Sequence, residues 1–439
     1  MDEKITTLFY LTENLPIVLK TDTISLIFAL ATILIWLLCG IYSFSYFKGD
    51  KKGKRYTVFY VLILFVLLCL DFAGNMITFY LFYEMMTLIS VPLVFHTETK
   101  EAMMAGLKYL FYSLCGAYMV LFGFYFVYAK APTITFTAGG VFEKGILTGN
   151  HTLLLIAAFF MILGFSVKAG MFPMHAWLTS AHPVAPAPAS AFLSGIIVKG
   201  GVLGMIRTIF YIFGADFIRG TWVQTTVLIL SLFTVFLGSM LAYREKILKK
   251  RLAYSTVSQV SYIIFGLILL EQTAFTGALL HVVFHAVIKS CLFICAGTII
   301  HETGLHRTDE LRGIGKRMPV TLWCFAFASL SLIGIPPAAG FVSKWNLCMG
   351  SLSSGISVFS VLGPVILLVS ALLTAGYLLP IVIRGFLPGE EYKSVTIKRC
   401  DTSKVMLIPM IVLAVLSILL GLFPNGLLHF LSNVAMDLM

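Results

Sequence analysis

Seven ionisable residues lie inside long apolar stretches of this 439-residue chain. They are Glu84, Lys168, Lys199, His281, His285, Lys289 and Lys344. A charge at the centre of a bilayer costs roughly 2.5–3.5 kcal/mol on insertion scales, so such residues usually face a bundle interior or a wet cavity. The two histidines and Lys289 are spaced four residues apart, which predicts that all three share one helix face.

Proton relay is the chemistry that this set of residue types favours. Burial shifts the proton affinity of a lysine amine, and a nearby carboxylate opposes that shift, so the amine can switch between two protonation states. Histidine connects such groups because it gains and loses a proton near neutral pH. Chained lysines, histidines and waters can therefore pass protons without a continuous pore.

Other interpretations of single residues remain open. Glu84 taken alone fits a structural ion pair with a lysine as well as it fits a functional role. The face of His281, His285 and Lys289 suits a metal poorly, because a lysine is a poor ligand and no carboxylate lies nearby in the sequence. Arg207, close to the loop at Gly214, is interpreted as an arginine that extends to the membrane surface. We expect no bound metal or cofactor.

The composition predicts the elements that must position these residues. Hydrophobic residues make up 59% of the chain and charged residues 12%, against about 25% charged residues in a soluble domain. A membrane-spanning helix needs roughly 20 apolar residues. We therefore predict an all-α, polytopic transmembrane bundle of about twelve helices, with spans at 24–46, 57–72, 75–95, 104–129, 152–172, 184–211, 222–243, 252–270, 274–300, 319–345, 357–387 and 405–430.

The basic residues cluster in four loops that this span count puts on one side. These loops are 48–55, 244–251, 301–318 and 384–404. The opposite side, counted with both tails and Asp71, is net negative. The positive-inside rule makes the basic side cytoplasmic and puts both termini outside. The net charge of +11 thus indicates orientation in an inner (plasma) membrane rather than nucleic-acid binding, and no removable signal peptide is expected.

Two proline-containing breaks interrupt spans that carry lysines. Pro173 follows Lys168, and the pair Pro336 and Pro337 precedes Lys344. Paired breaks in two halves of a membrane protein point to its transport site. We predict two inverted five-helix repeats at 57–211 and 222–387, each with its broken helix fourth, between an N-terminal segment at 1–56 and a C-terminal loop and helix at 388–439.

Four motifs occur in order: GFSVKAGMFPMHAWLTSAHPVAPAPASAFLSGIIVKGGVLGMIR (164–207), LKKRLAYSTVSQVSY (248–262), HVVFHAVIKSCLFICAG (281–297) and GIPPAAGFVSKW (334–345). They resemble the antiporter-like subunits of respiratory complex I, a family that includes the large subunits of Mrp-type cation/proton antiporters and of membrane-bound hydrogenases. The resemblance covers most of residues 22–430. Such subunits usually have fourteen helices, so it implies that the family's first two helices are missing here.

The resemblance also implies roles for individual residues. Glu84 corresponds to the glutamate paired with the lysine of the first broken helix, Lys168. Lys199 matches the connecting lysine on the next helix, and Lys344 matches the exit residue on the second broken helix. The central hydrophilic axis is matched by His281, His285 and Lys289. One departure is Ile247, where many relatives carry an acidic residue. The last motif and LLTAGYLLPIVIRGFLPG (372–389) look more like the branch of the Mrp D-type and hydrogenase-associated proteins.

These observations predict a proton-translocating membrane subunit of a redox-driven pump or of an Mrp-type antiporter. Its expected partners are other membrane-arm or antiporter subunits and redox subunits, in a lipid bilayer. No redox chemistry is expected in the chain itself, and the transported ion is H⁺ or Na⁺. Two alternatives stay open: a self-sufficient cation/proton antiporter, and a quinone-binding membrane enzyme.

Overall fold

The computed structural model describes residues 4–13, 15–389 and 401–439, and most of them are helical. The helices in chain order are α1 (Thr23–Tyr46), α2 (Gly53–Asp71), α3 (Met76–Val94), α4 (Lys100–Lys130), α5 (Lys144–Gly149), α6 (His151–Ala169), α7 (Ala176–Val184), α8 (Ala187–Phe192), α9 (Val198–Ile206), α10 (Ala215–Ile218), α11 (Trp222–Arg244), α12 (Leu248–Ile268), α13 (Gln272–Thr303), α14 (Ile314–Arg317), α15 (Pro319–Ile333), α16 (Ala339–Ser353), α17 (Phe359–Phe386), α18 (Lys404–Leu422) and α19 (Asn425–Leu438).

The prediction of an all-α, polytopic membrane bundle is confirmed. In the described part of the chain, ten helical stretches are long and apolar enough to cross a membrane. The predicted spans 252–270 and 319–345 correspond to α12, which is buried but more polar, and to the pair α15 and α16. The inverted five-helix repeats and the domain boundaries stay predictions.

Two buried helical stretches form the centre of the bundle. The first runs from Ala187 to Phe213 and is wholly buried. It contains two π-helical segments, Leu193–Ile197 and Arg207–Phe213, on either side of α9. The second is α13, which has 32 residues and is almost wholly buried. A π-turn shifts the backbone hydrogen bonds of a helix and occurs often at functional sites.

Local sequence explains where several helices begin and end. Four helices start at a side chain that accepts a hydrogen bond from a backbone N–H three residues on, which satisfies one free donor of the first turn. These residues are Asp22, Asn75, Thr99 and Glu271. Inside the bundle, α6 ends at Gly170 (φ 82°) and α15 ends at Gly334 (φ 92°). Both glycines adopt the left-handed conformation that other residues avoid.

Three features differ from the sequence-based expectation. The N-terminal segment forms an antiparallel hairpin of β1 (Lys4–Thr12) and β2 (Leu15–Thr21). The expected connector 173–183 contains α7, which packs into the bundle through buried residues such as Trp177. The expected span 405–430 is divided, because α18 ends just before Pro424 and the separate helix α19 follows it.

Three basic segments lie at one end of the bundle. The backbone N–H of Leu248 donates to the carbonyl of His306 (2.9 Å), which joins the segment after α11 to the segment after α13. The ring of Tyr46, at the end of α1, packs against His301 at the end of α13 (4.8 Å between centroids). Much of the fourth expected basic segment, 384–404, and the start of the expected C-terminal region at 388–439 lie outside the described residues.

Candidate functional site

Lys168 lies at the C-terminal end of α6 and is completely buried. Its Nζ donates hydrogen bonds to Thr87 Oγ1 (2.7 Å), Ser113 Oγ (2.9 Å) and Tyr109 OH (3.1 Å). The amine also lies 4.6 Å from the centre of the Tyr109 ring, close enough for a cation–π contact. The first lysine of the set is thus surrounded by hydroxyl groups from α3 and α4.

Glu84 lies one helical turn before Thr87 on α3 and is half-buried. The sequence-based expectation pairs it with Lys168, and the two groups do interact electrostatically. Within the described residues, however, no nitrogen–oxygen contact of 4.0 Å or less joins them, and the buried Glu84 Oε1 has no hydrogen-bond partner. An unsatisfied buried acceptor is costly, so this oxygen is a natural position for a water or an approaching amine.

Lys199 is joined directly to the histidine face of α13. Its Nζ lies 2.7 Å from His285 Nδ1 and donates to the carbonyl of Ser194 (2.7 Å). Ser194 belongs to the π-helical segment before α9. The His285 Nε2 atom is buried and, among the described residues, has no hydrogen-bond partner.

His281 continues the series one turn earlier on α13. Its ring centroid is 5.8 Å from that of His285, and it stacks on Tyr262 at 5.7 Å. Its Nδ1 is hydrogen-bonded to Ser343 Oγ (2.9 Å), the residue before Lys344. The two neighbouring imidazoles therefore connect Lys199 on α9 to Ser343 at the second break.

Lys344 lies at the start of α16, just after the second break. Its Nζ donates to the carbonyls of Leu332 (2.6 Å) and Ile333 (3.1 Å), the last residues of α15. The amine also lies 5.2 Å from the centre of the Tyr262 ring. The negative end of a helix dipole favours a cation at this place.

Lys289 ends the α13 face, where its Nζ donates to the carbonyl of Leu252 (3.1 Å). Close to it lies His182, which sequence reasoning missed. Both ring nitrogens of His182 are buried without hydrogen-bond partners in the described chain, its ring stacks on Phe293 at 4.5 Å, and it interacts electrostatically with Lys289 and Lys249. The only sequence signal was a histidine within the apolar motif that precedes α8.

The prediction for Arg207 was wrong. The side chain does not reach solvent, because it is only 1% exposed. Its guanidinium donates to both carboxylate oxygens of Asp22 (2.5 and 3.0 Å) and to Ser25 Oγ (2.9 Å). A bidentate partner offsets the cost of burying the charge. Asp22 and Asp71, which the sequence-based charge count placed outside the membrane, are likewise buried.

The structure brings most of the predicted residues into one series. Contacts run from Lys199 through His285 and His281 to Ser343, next to Lys344. Lys168 and Glu84 form a separate cluster, and Pro173 lies between α6 and α7, as Pro336 and Pro337 lie between α15 and α16. Within the described residues, no group of three or more His, Cys, Asp or Glu side chains is arranged to hold a metal ion.

Comparison with known proteins identifies the family. The family model described as "NADH:quinone oxidoreductase/Mrp antiporter, TM" matches residues 73–374. The chain is 31% identical over 410 residues to the N subunit of the NADH-quinone oxidoreductase of Desulforudis audaxviator, covering 90% of this chain and 79% of that protein. It is 30% identical over 410 residues to the D subunit of the Na⁺/H⁺ antiporter of Bacillus subtilis, covering 92% and 80% respectively.

The fold matches a chain in the structure of the Mrp complex from Dietzia with a TM-score of 0.87 and 22% identity, covering 99% of this chain and 87% of that chain. The resemblance inferred from the motifs is confirmed, whereas the choice of the Mrp D-type and hydrogenase branch stays a prediction. The chain belongs to the membrane-subunit family of NADH:quinone oxidoreductases and Mrp antiporters.

Proposed function

We propose that this chain translocates protons as a membrane subunit of a larger complex. The observation that carries the proposal is a buried series of neighbouring polar groups on α9, α13 and α16. Its members are Lys199, His285, His281, Ser343 and Lys344. Hydrogen bonds join Lys199 to His285 and His281 to Ser343, and the two imidazole rings lie 5.8 Å apart. A proton can pass along such a series because each group accepts and donates in turn. Fixed structural charges would not need two imidazoles with unused ring nitrogens.

Lys168 and Glu84 act at the entry of the relay. The three hydroxyl groups around Lys168 can donate or accept hydrogen bonds, so they fit the amine in both protonation states. Moving the Glu84 carboxylate relative to Lys168 changes how strongly the amine holds its proton. Uptake from the cytoplasm charges Lys168 or Lys199, and transfer along the α13 face ends at Lys344 with release outside.

The orientation follows from the basic segments. Those after α1, α11 and α13 lie at one end of the bundle, and the positive-inside rule makes that end cytoplasmic. The α2–α3 junction and the hairpin then lie at the outer end of an inner membrane. Both relatives are named as subunits of larger assemblies, which supports membrane-arm or antiporter subunits and redox subunits as partners of this chain.

The proposal is tested on the complex purified through this chain and reconstituted into liposomes that contain a pH-sensitive dye. Lys168→Ala and Glu84→Ala should each abolish proton movement while assembly of the complex is unchanged. The matched control is Lys130→Ala, which removes an exposed lysine at the end of α4. Proton movement that survives in both relay variants would refute the proposal.

Mass spectrometry of the same preparation identifies the kind of complex. Co-purifying cluster-binding, hydrogenase or quinone-reducing subunits would make the chain part of a redox-driven pump. Small membrane subunits with a second antiporter-like chain would make it part of an Mrp-type exchanger. Sodium exchange by the chain alone would instead support the self-sufficient antiporter.

A further inference from the structure

A small cavity lies between Lys199 and a carboxylate that the relay does not include. It has a volume of about 10 Å³ and is lined by Asp71 at the end of α2, by Thr32 of α1, and by Lys199 with its neighbour Gly200. This is roughly the space that one water molecule needs. The π-helical segment before α9 contributes Gly195 to the lining.

Asp71 is 3% exposed and lies at the C-terminal end of α2. Thr32 Oγ1 donates to Asp71 Oδ2 (2.9 Å). A carboxylate at this position meets the negative end of the helix dipole, and burial removes the water that would otherwise solvate it. The carboxylate therefore needs a cation or a proton as a partner.

Lys199 has an N–H group available to donate to the Asp71 carboxylate. A lysine ammonium carries three N–H groups. Two of them are directed to His285 Nδ1 and to the carbonyl of Ser194. The third can point into the cavity that Lys199 and Asp71 share.

Arg207 is a second charged group that acts on Asp71, but it is already bound elsewhere. Arg207 interacts electrostatically with Asp71, but its guanidinium is bound on two sides to Asp22. An arginine also does not release its proton in proteins. Lys199 lines the same cavity as Asp71 and can release its proton, which makes it the candidate for proton exchange with Asp71.

We propose that Asp71 is a further proton-binding site, which exchanges a proton with Lys199 through one water in this cavity. An N–H bond of the Lys199 ammonium breaks and an O–H bond forms on Asp71, leaving a neutral amine and a neutral acid. This inference rests on the proposed relay. It gives the relay a branch at the hairpin end of the bundle, where the carbonyl of Phe72 accepts a hydrogen bond from the backbone of Lys20 (2.8 Å).

The exchange is tested by infrared difference spectroscopy of the purified complex between two pH values. Asp71→Asn should remove a carbonyl band of a protonated carboxylic acid, and Lys199→Met should move the pH at which that band appears. Thr32→Val keeps the acid but removes its hydrogen bond, so the band should remain at a shifted frequency. An unchanged spectrum in Asp71→Asn, or an unchanged midpoint in Lys199→Met, overturns the proposal.

Proton movement in liposomes provides the second measurement. Asp71→Asn should slow it by about tenfold, less than the roughly hundredfold loss expected for a proton carrier on the main path, because Asp71 lies on a branch; Asp71→Glu should retain most of the rate. If Asp71 only anchors α1 to α2, then Asp71→Asn and Thr32→Val lower the yield equally and leave the rate per complex unchanged, which also overturns the proposal. A wild-type complex that moves no protons refutes the proposed function, but the infrared result still decides whether Asp71 and Lys199 exchange a proton.

Discussion

The two broken helices hold their lysines in different ways. Lys168 precedes its break, and its amine is surrounded by three hydroxyl groups. Lys344 follows its break, and its amine is held by two carbonyls at the end of α15. Hydroxyl groups can turn to donate or accept, whereas carbonyls only accept. The two breaks thus produce one lysine whose neighbours fit both protonation states and one whose neighbours favour the protonated state before release.

The largest expected effect comes from fixing either lysine in its charged form. Lys168→Arg keeps the charge but cannot release a proton, so it should slow proton movement in liposomes by at least about a hundredfold. Lys344→Arg blocks release at the end of the relay in the same way, but it preserves a cation beside the α15 carbonyls, so assembly should be unchanged. The exposed control is Lys130→Arg. Proton movement near the wild-type rate in either variant would contradict the relay.

The hydroxyl groups around Lys168 should matter next. Thr87→Val removes the shortest of the three hydrogen bonds at nearly constant volume. Because hydrogen bonds to a charged group contribute roughly 1.5–3 kcal/mol, we expect a loss of about tenfold in transport rate with normal assembly. Thr57→Val, on the exposed face of α2, is the matched control. A rate equal to wild type would show that the hydroxyl does not tune Lys168.

The glycines at the two breaks offer a smaller test on stability. A side chain at Gly170 would make only ordinary contacts, the nearest at 3.7 Å, so the cost of Gly170→Ala comes mainly from its left-handed backbone, roughly 1–2 kcal/mol. A side chain at Gly340 would meet the carbonyl oxygen of Ser331 at 1.8 Å and push α16 away from α15. Thermal unfolding of the purified protein should therefore show a larger loss for Gly340→Ala. The reverse order would contradict the close packing of the second break.

The smallest effect is expected at an exposed carboxylate, which serves as a reference for Glu84. Hydrogen bonds from Lys52 and Arg55 lower the pKa of Glu98 to about 2. The contribution of these two hydrogen bonds to folding stability is thus fully present above pH 4.5, the ordinary pKa of a glutamate side chain. It is lost as the pH falls through about 2. Because Glu98 is exposed, Glu98→Gln should change thermal unfolding near neutral pH only slightly, and less at high salt. A large, salt-independent change would contradict this.

The sequence predicted the membrane helices and the candidate relay residues better than it predicted the side chains that contact those residues. Charges in apolar runs and the four-residue spacing on α13 were sufficient to select His281, His285 and Lys289. The hydroxyl groups around Lys168 come from two other helices, so nothing in the local sequence connects them to it. Asp71 stands at the end of an apolar run, where a buried acid and a loop acid look the same. Its burial depends on the packing of α1 and α9.

The decisive measurement for the proton relay is dye-reported proton movement in sodium-free liposomes that contain the purified complex. The complex is energised by the donor or ion gradient that its co-purifying subunits indicate, and wild type is compared with Lys168→Ala. A working relay predicts that the dye reports proton movement for wild type and none for the variant. Equal proton movement in both, or none in a fully assembled and energised wild-type complex, would contradict the relay.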